Sequence, residues 1–600
     1  MPRDINATRD RLAGNIVTDS LTFHVHGFNY FEGKLFVPYP ACRLYIIDAL
    51  TGKEVRVIRD MCANIPGNAP ARPNVGYKPQ QAYGPVFYAK ERVMIVPAGA
   101  ITESNEGARG FFAGYNIDTG QLLWRFFVVP PSGGDSDWAI RDANKGWIEG
   151  VKTSDILVKC RQCLENDWGR AGRDGGQAGP GWGQWAVDVE TGIVFLATAQ
   201  PAPDFNATYR PGPNLFSSSV VALDAKTGEL KWYHQTSTHD LWDYDCAWNT
   251  TLGNIGARKV VYKGCKNGIE YAFDAATGEM IWYFNDPNIK RSEWTPWHSG
   301  SLLPSGPKDN SPIGAWDPAD IRTMTRRWLN EPATGPVWLN PPANGGIEAD
   351  QALAYGTVYV GTYNAPAWIR PNNVAPAGAG GGPAAGTPPY TQRPNATIRA
   401  LDAATGKARW GFTIDGVGFR GGLLVSGGVL YVPGQDGTLY ALDADTGKEL
   451  TRKYLGVPLA VAPTIGADGS GKMRIFVTFG QNFIGIGQPL PGSLLAFGLP
   501  DKLPEPQIIT KEVIREVPKE VVKEVIKEVP KEVIKEVVKE VPKEVIKEVP
   551  KEVIKEVPKE VTKTVTVETI SPTTYVVLGV AVVIAVVGIV VGMRGRKRAS

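Results

Sequence analysis

The chain has 600 residues, of which 43% are hydrophobic and 21% charged, with 64 basic against 61 acidic side chains. That composition can fill several cores and excludes a disordered or collagen-like chain over most of its length. Net charge is only +3 and no strongly basic face stands out, so no nucleic-acid partner is expected. Gly 68, Pro 47 and Trp 17 point to many turns between short strands, and hence to an all-β architecture.

In chain order, residues 1–20 form an N-terminal segment in which Met1 to Asp19 is polar and has no apolar stretch of an export signal. Over residues 21–500 a nine-residue signature, Asp-x-x-Thr-Gly-x-x-x-Trp, returns at Asp224 to Trp232, Asp274 to Trp282 and Asp402 to Trp410. Weaker copies end at Trp124 and run from Asp48 to Arg56 and from Asp443 to Thr451. The signature reads as a strand, a tight Asp-to-Gly turn, and a second strand whose Trp covers the neighbouring sheet. Runs such as GGVLYVPGQDGTLY (427–440) and QALAYGTVYVGTYN (351–364) alternate apolar residues with turn glycines and make strand pairs. One such sheet cannot bury both faces, so the units must stack, and radial stacking gives a β-propeller. Six signatures and a last strand block at 460–497 predict a propeller of seven to eight blades. Two Gly/Pro-rich stretches, 169–183 and 364–394, are predicted to be long loops, the second a surface insertion.

Composition changes near residue 500. Residues 501–572 are predicted to be a stalk rich in Lys, Glu and Val, in which a four-residue unit repeats from Lys511 to Lys563 with prolines at 518, 530, 542, 550 and 558. On an α-helix a period of four drifts by about 40° per repeat, and each proline removes a hydrogen bond. Extended, the stalk would span up to roughly 150 Å; a kinked helix or a self-associated coil stays open. Residues 573–593 are predicted to be a transmembrane helix, since Tyr575 to Met593 is uncharged and would cover about 28 Å. The tail 594–600 carries Arg594, Arg596, Lys597 and Arg598, which places it in the cytoplasm and the propeller on the extracellular side of a single-pass cell-membrane protein. That orientation requires export, so the chain is expected to begin downstream of its true start or to be a processed form; the alternative is a cytosolic propeller with the tail inserted the other way. Acceptor triplets for N-glycosylation at Asn6, Asn206, Asn249 and Asn395 fit an outside location, although such triplets arise often by chance.

Residues 20–499 resemble the quinoprotein alcohol dehydrogenases, eight-bladed propellers that hold pyrroloquinoline quinone and include methanol dehydrogenases. The resemblance is carried by QPAPDFNATYRPGPNLFSSSVVALDAKTGELKW (200–232), by HDLWDYD (239–245), and by a signature similar to that family's tryptophan-docking motif. It implies that Trp182, in GWGQW, forms the floor under the quinone ring, where a flat indole suits a planar cofactor. Asp243 is implied to be the catalytic base and a metal ligand, taking the alcohol proton as hydride leaves for the quinone. Asp245 resembles the additional carboxylate of lanthanide-using members. Lys266, in GCKNG, matches the cationic residue that reaches the quinone oxygens and would stabilise the reduced cofactor. Asn364 is a further candidate cofactor contact. Read without the resemblance, three aspartates in six residues are turn residues, and Lys266 and Asn364 are surface loop residues.

The chain also departs from the family pattern. The stretch that supplies a Glu metal ligand reads NEGARG here, which puts Asn105 at the ligand position and Glu106 one place later, and Gln200 replaces the family's Asn. Amide oxygens still ligate a hard cation, with less anionic charge. His26 stands where the family has an Arg for the quinone carboxylates, Ser20 and Leu21 stand near the place of a vicinal cysteine pair, and the blade that precedes Leu21 in the family is expected to be missing. Six cysteines, at 42, 62, 160, 163, 246 and 265, are compatible with disulfides whose pairing the sequence does not reveal. Cys160 and Cys163 form CRQC with no following His, so a haem attachment site is not predicted and electrons would leave to a separate acceptor. The expected function is oxidation of a small alcohol with pyrroloquinoline quinone and a bound calcium or lanthanide ion. The alternative is a catalytically degenerate propeller serving as a cell-surface structural or adhesion module, self-associating through the stalk or propeller.

Overall fold

The structure is a computed structural model, described here for residues 27–39, 42–59, 61–62, 80–100, 110–129, 177–202, 214, 216–237, 240, 243–289, 337–341, 345–369, 393–479 and 493–498. The predicted stalk, transmembrane helix and tail lie outside these residues, as do Ser20, Leu21, His26, Asn105, Glu106, Cys160 and Cys163. Among the described residues no helix is long and apolar enough to cross a membrane.

The described residues form an all-β propeller of seven antiparallel sheets, at 29–58, 80–127, 177–235, 251–285, 352–415, 424–454 and 464–498. The first six lie in one compact unit. The expectation of seven to eight blades thus resolves to seven, and no α-helix occurs among the described residues. Each of the fourth, fifth and sixth sheets is a four-stranded meander, which is what hairpin turns between short strands produce.

Alternation along each strand sends successive side chains to opposite neighbours. In Ser219–Asp224, Val221 and Leu223 pack toward the second sheet, whereas Val220 and Ala222 join Val261, Tyr271 and Phe273 of the fourth. The fourth sheet repeats the scheme, with Val260 and Tyr262 facing Val358 and Val360 of the fifth. Strands buried on both faces need apolar residues at every position, which is why these segments read as continuous hydrophobic runs rather than as half-buried alternations.

The repeated signature has a mechanical role. Asp224 Oδ1 accepts the backbone N–H groups of Lys226 and Thr227, each at 3.0 Å, and so closes the turn that Gly228 completes at φ +76°. A Cβ on Gly228 would lie 2.6 Å from the indole of Trp124, the signature Trp of the preceding sheet. That indole donates from Nε1 to Ala225 O at 3.2 Å. Trp232 docks in the same way on Ala275 and Gly278, Trp282 on Ala403 and Gly406, and Trp410 on Ala444 and Gly447. The spacing of the signature therefore encodes both halves of a joint: a socket for the previous blade and a plug for the next. Before the second sheet the plug is Arg56, whose guanidinium donates to Asp118 O.

Two loop expectations are corrected. Gln177–Pro180, within the stretch 169–183, is an edge strand with a bulge between Ala178 and Pro180; an edge accepts a proline and a glycine that a central strand would not. Ala367–Ile369, within 364–394, pairs with Val337–Leu339 as a separate ribbon. Disulfides join Cys42 to Cys62 and Cys246 to Cys265. The Asn249 side-chain amide donates to Gln351 O at 3.2 Å.

Candidate active site

Trp182 is placed by its two glycines. A Cβ on Gly181 would lie 2.4 Å from Ala197 O and 2.6 Å from Ala247 O, and one on Gly183 would lie 2.3 Å from Asn249 N. Only bare backbone passes there, and the N–H groups of Trp182 and Gly183 both bond to Ala247 O at 3.0 Å. The half-buried Trp182 ring meets Trp248 edge-on at 6.5 Å and 89°, with Tyr83 on another side at 6.5 Å.

The segment HDLWDYD divides its aspartates by role. Asp240 is the turn residue: Oδ2 accepts the Tyr244 N–H at 2.7 Å and the Ser218 hydroxyl at 3.0 Å. Tyr244 in turn donates its hydroxyl to Pro341 O at 2.6 Å. Asp243 sits at φ +63°, a left-handed conformation that Asp tolerates better than most residues. Asp243 and Asp245 both turn their carboxylates on Lys266, whose Nζ lies 3.0 Å from Asp243 Oδ1 and 2.6 Å from Asp245 Oδ2. The reading of these two aspartates as turn residues and of Lys266 as a surface residue is thereby corrected, since all three are buried.

Two further charged residues join the group, and the buried Lys263 also acts on Asp245 through its charge. Glu348 Oε1 lies 3.6 Å from Lys266 Nζ and accepts from Arg420 Nη2 at 2.5 Å. Arg420 also places its guanidinium carbon 5.6 Å from the Trp248 ring centroid. A continuous chain of contacts therefore runs from Tyr83 through Trp182, Trp248, Arg420 and Glu348 to Lys266 and its aspartates. Burial works against the Lys266 ammonium, but the charges of Asp243, Asp245 and Glu348 outweigh it and hold its pKa well above the ordinary lysine range. Burial pushes Glu348 up from the usual carboxylate range, with Arg420 and Lys266 offsetting only part of the effect.

The remaining expected residues join the same neighbourhood through backbone links. Gln200 is buried in Ile193–Ala202, two places beyond Thr198, whose carbonyl accepts the Cys246 N–H at 3.1 Å. Asn364 Oδ1 accepts from Asn340 Nδ2 at 3.2 Å, next to the Pro341 that receives Tyr244. Gly346, bridged to Tyr363, presses against Lys266, such that a Cβ would stand 1.9 Å from Lys266 O.

Glu348, Arg420 and Trp248 were not singled out from the sequence. GGIE and FRGG carry no motif, and their meeting depends on contacts across 72 residues or more. The groups present, an indole face at Trp182 and the buried cations Lys266 and Arg420, are of the kinds that a planar, anionic quinone calls for. They do not by themselves suit a metal ion. Among the described residues no group of three or more acidic, imidazole or thiol side chains is arranged to hold one. The Lys266 ammonium already occupies the point on which the carboxylates of Asp243 and Asp245 converge.

A family model described as "Glucose/ethanol/alcohol dehydrogenase, beta-propeller domain" matches residues 20–299, and one described as "Outer membrane protein assembly factor BamB" matches residues 394–486. The dehydrogenase subunit of alcohol dehydrogenase (quinone) from Acetobacter aceti is 28% identical over 78% of this chain and 60% of its own length. The quinohemoprotein alcohol dehydrogenase of Comamonas testosteroni is 26% identical over 76% of this chain and 59% of its own length. The crystal structure of the quinohemoprotein alcohol dehydrogenase from Comamonas testosteroni shares the fold with TM-score 0.59 at 24% identity, covering 83% of this chain and 70% of that one. A europium-containing methanol dehydrogenase gives TM-score 0.53 at 20% identity, covering 76% and 73%. The chain thus spans about 60% of the length of the curated relatives it matches.

Proposed function

We propose that this chain, whose residues 20–299 match the alcohol dehydrogenase propeller model and which is 28% identical to an alcohol dehydrogenase (quinone) subunit, acts as a pyrroloquinoline quinone-dependent alcohol dehydrogenase and oxidises a small alcohol with that quinone as oxidant. The observation that carries the reading is the buried convergence of Asp243 and Asp245 on Lys266, linked by Glu348 and Arg420 to the Trp182–Trp248 pair. When bound, the quinone supplies a two-electron acceptor for the hydride of the alcohol carbon.

Trp182 offers the flat face on which a planar ring rests; backbone bonds to Ala247 O fix its main chain, and Tyr83 and Trp248 flank its ring. Asp243 takes the hydroxyl proton; Oδ1 is the oxygen that meets Lys266, which directs the base toward Oδ2. Lys266 keeps a fixed positive charge where negative charge develops on reduction, and its carboxylate neighbours ensure that it is protonated across the working pH range. Arg420 extends that positive field over the Trp248 edge of the platform.

A calcium or lanthanide ion belongs to this reading only as a competitor of Lys266 for Asp243 and Asp245, with Gln200, Asn105 and Glu106 as further oxygen donors. Electrons pass on to a separate carrier. The reading also includes anchorage by residues 573–593 with the propeller on the outer side, supported by the uncharged run and the basic tail; exposure of the propeller to protease added to intact cells tests it.

The central test mixes the purified chain with the quinone, alone and with calcium or a lanthanide, and follows dye reduction by short primary alcohols. Quenching of tryptophan fluorescence on quinone addition together with alcohol-dependent dye reduction is expected. Absence of both under every ionic condition overturns the proposal.

A further inference from the structure

We propose that the Cys246–Cys265 disulfide is the positioning device of this site, a covalent clamp that holds Asp245 and Lys266 in register. The inference rests on the quinone reading for one of its two readouts and stands on geometry for the other.

Each half-cystine is the immediate chain neighbour of a charged site residue: Cys246 follows Asp245, and Cys265 precedes Lys266. Their Cα atoms are 4.4 Å apart and both side chains are fully buried. Two further site residues hang on the same pair. The Cys246 N–H bonds to Thr198 O at 3.1 Å, on the strand that carries Gln200. The Cys265 carbonyl accepts the N–H of Ile347 at 3.1 Å, one residue before Glu348.

The clamp stands where the sheet stops doing this work. The hairpin of Thr251–Ile255 and Arg258–Gly264 is paired up to Thr251 opposite Tyr262. Beyond that rung the two chains run on toward Asp245 and Lys266, which are joined by one long backbone bond, Lys266 N to Asp245 O at 3.2 Å. The ion pairs of Asp243 and Asp245 with Lys266 hold only while the two chain segments stay in register, and a single backbone hydrogen bond is a weak restraint on that register. A covalent bridge adjoining both partners removes this freedom.

The second disulfide supplies an internal control. Cys42–Cys62 has a sequence separation of 20, against 19 for Cys246–Cys265, so the two restrict the unfolded chain to a similar extent. It sits in the core between the first and second sheets. Loss of either bridge therefore lowers the melting temperature comparably, while only one loss reaches Lys266.

The experiment compares Cys246→Ala/Cys265→Ala with Cys42→Ala/Cys62→Ala in the full chain. Acylation of Lys266 by acetic anhydride is followed by peptide mass spectrometry without quinone, and quinone affinity by tryptophan quenching. The first variant is expected to acylate Lys266 at least tenfold faster than the second and to bind quinone at least tenfold more weakly. Equal acylation rates in the two folded variants overturn the clamp. If the first variant does not fold, the folded wild-type chain treated with a water-soluble phosphine, which takes the disulfide to two thiols, replaces it under the same criterion. If the wild-type chain binds no quinone, the function proposed above fails, while the acylation comparison still decides the clamp.

Discussion

Lys266 Nζ stands 2.6 Å from Asp245 Oδ2 with both side chains buried, so the strongest local cation in the site is part of the chain itself. Removing it leaves Asp243, Asp245 and Glu348 without their shared partner, with Arg420 paired to Glu348 and the buried Lys263 acting on Asp245 as the remaining cations. Breaking a buried pair in this way costs about 3–5 kcal/mol. Lys266→Met is therefore expected to lower the melting temperature and to become sensitive to calcium or lanthanum, which fill the vacated point between the carboxylates. Thermal melts with and without each ion check this: a stabilisation by metal no larger in the variant than in the wild type contradicts the competition between ammonium and metal.

The two aspartates are predicted to separate kinetically. Asp243→Asn keeps the shape of the side chain but removes its capacity to take a proton, and a general base of this kind is worth about 10²–10⁴ in rate. Its kcat should fall by that order while quinone affinity changes much less. Asp245→Asn should weaken the hold on Lys266 and shift quinone affinity more than kcat. Equal losses of kcat and affinity in both variants would mean that neither residue has the assigned role.

The joint between blades gives a prediction about stability. Trp232 is buried, donates to Ala275 O at 2.9 Å, and covers Gly278 of the next sheet. Trp232→Ala removes the plug and should cost about 3–5 kcal/mol, as large aromatic deletions do. Trp232→Phe keeps most of the packing and loses the hydrogen bond, for about 1 kcal/mol. Chemical denaturation of the two variants should rank them in that order, and a neutral Trp232→Ala would show that the repeat is decorative.

What the sequence reveals and what it hides follow from range. The Asp-to-Gly turn and the Trp four residues later are local, so the signature exposes the blades directly; the Asp224 turn and the docking of Trp124 on Gly228 are two consequences of one spacing. Trp182, Asp243, Asp245 and Lys266 were legible only through resemblance, and the local chemistry of HDLWDYD could not separate Asp240, which closes the turn, from Asp243 and Asp245, which meet Lys266. Glu348 and Arg420 left no trace because their partners come from other blades. The strand at Gln177–Pro180 was hidden by its Gly-Pro pair, which composition reads as loop and an edge position tolerates.

The last prediction concerns acid. His234, on Leu230–Gln235, is buried with its ring 4.8 Å from that of Phe273. Burial pushes its pKa down from the ordinary histidine value of about 6.5 to about 3. The unfolded chain takes up a proton near pH 6.5, whereas the folded chain resists until near pH 3, so the unfolded state binds more protons throughout that window. Stability is therefore complete above pH 6.5 and falls by about 1.4 kcal/mol per unit as the pH drops toward 3. His234→Phe replaces the imidazole with a ring of similar size and no titration, and should flatten this acid limb while changing the melting temperature at pH 8 far less. Melting curves between pH 4 and 8 on both chains make the comparison, and parallel acid limbs in the two would remove His234 as their cause.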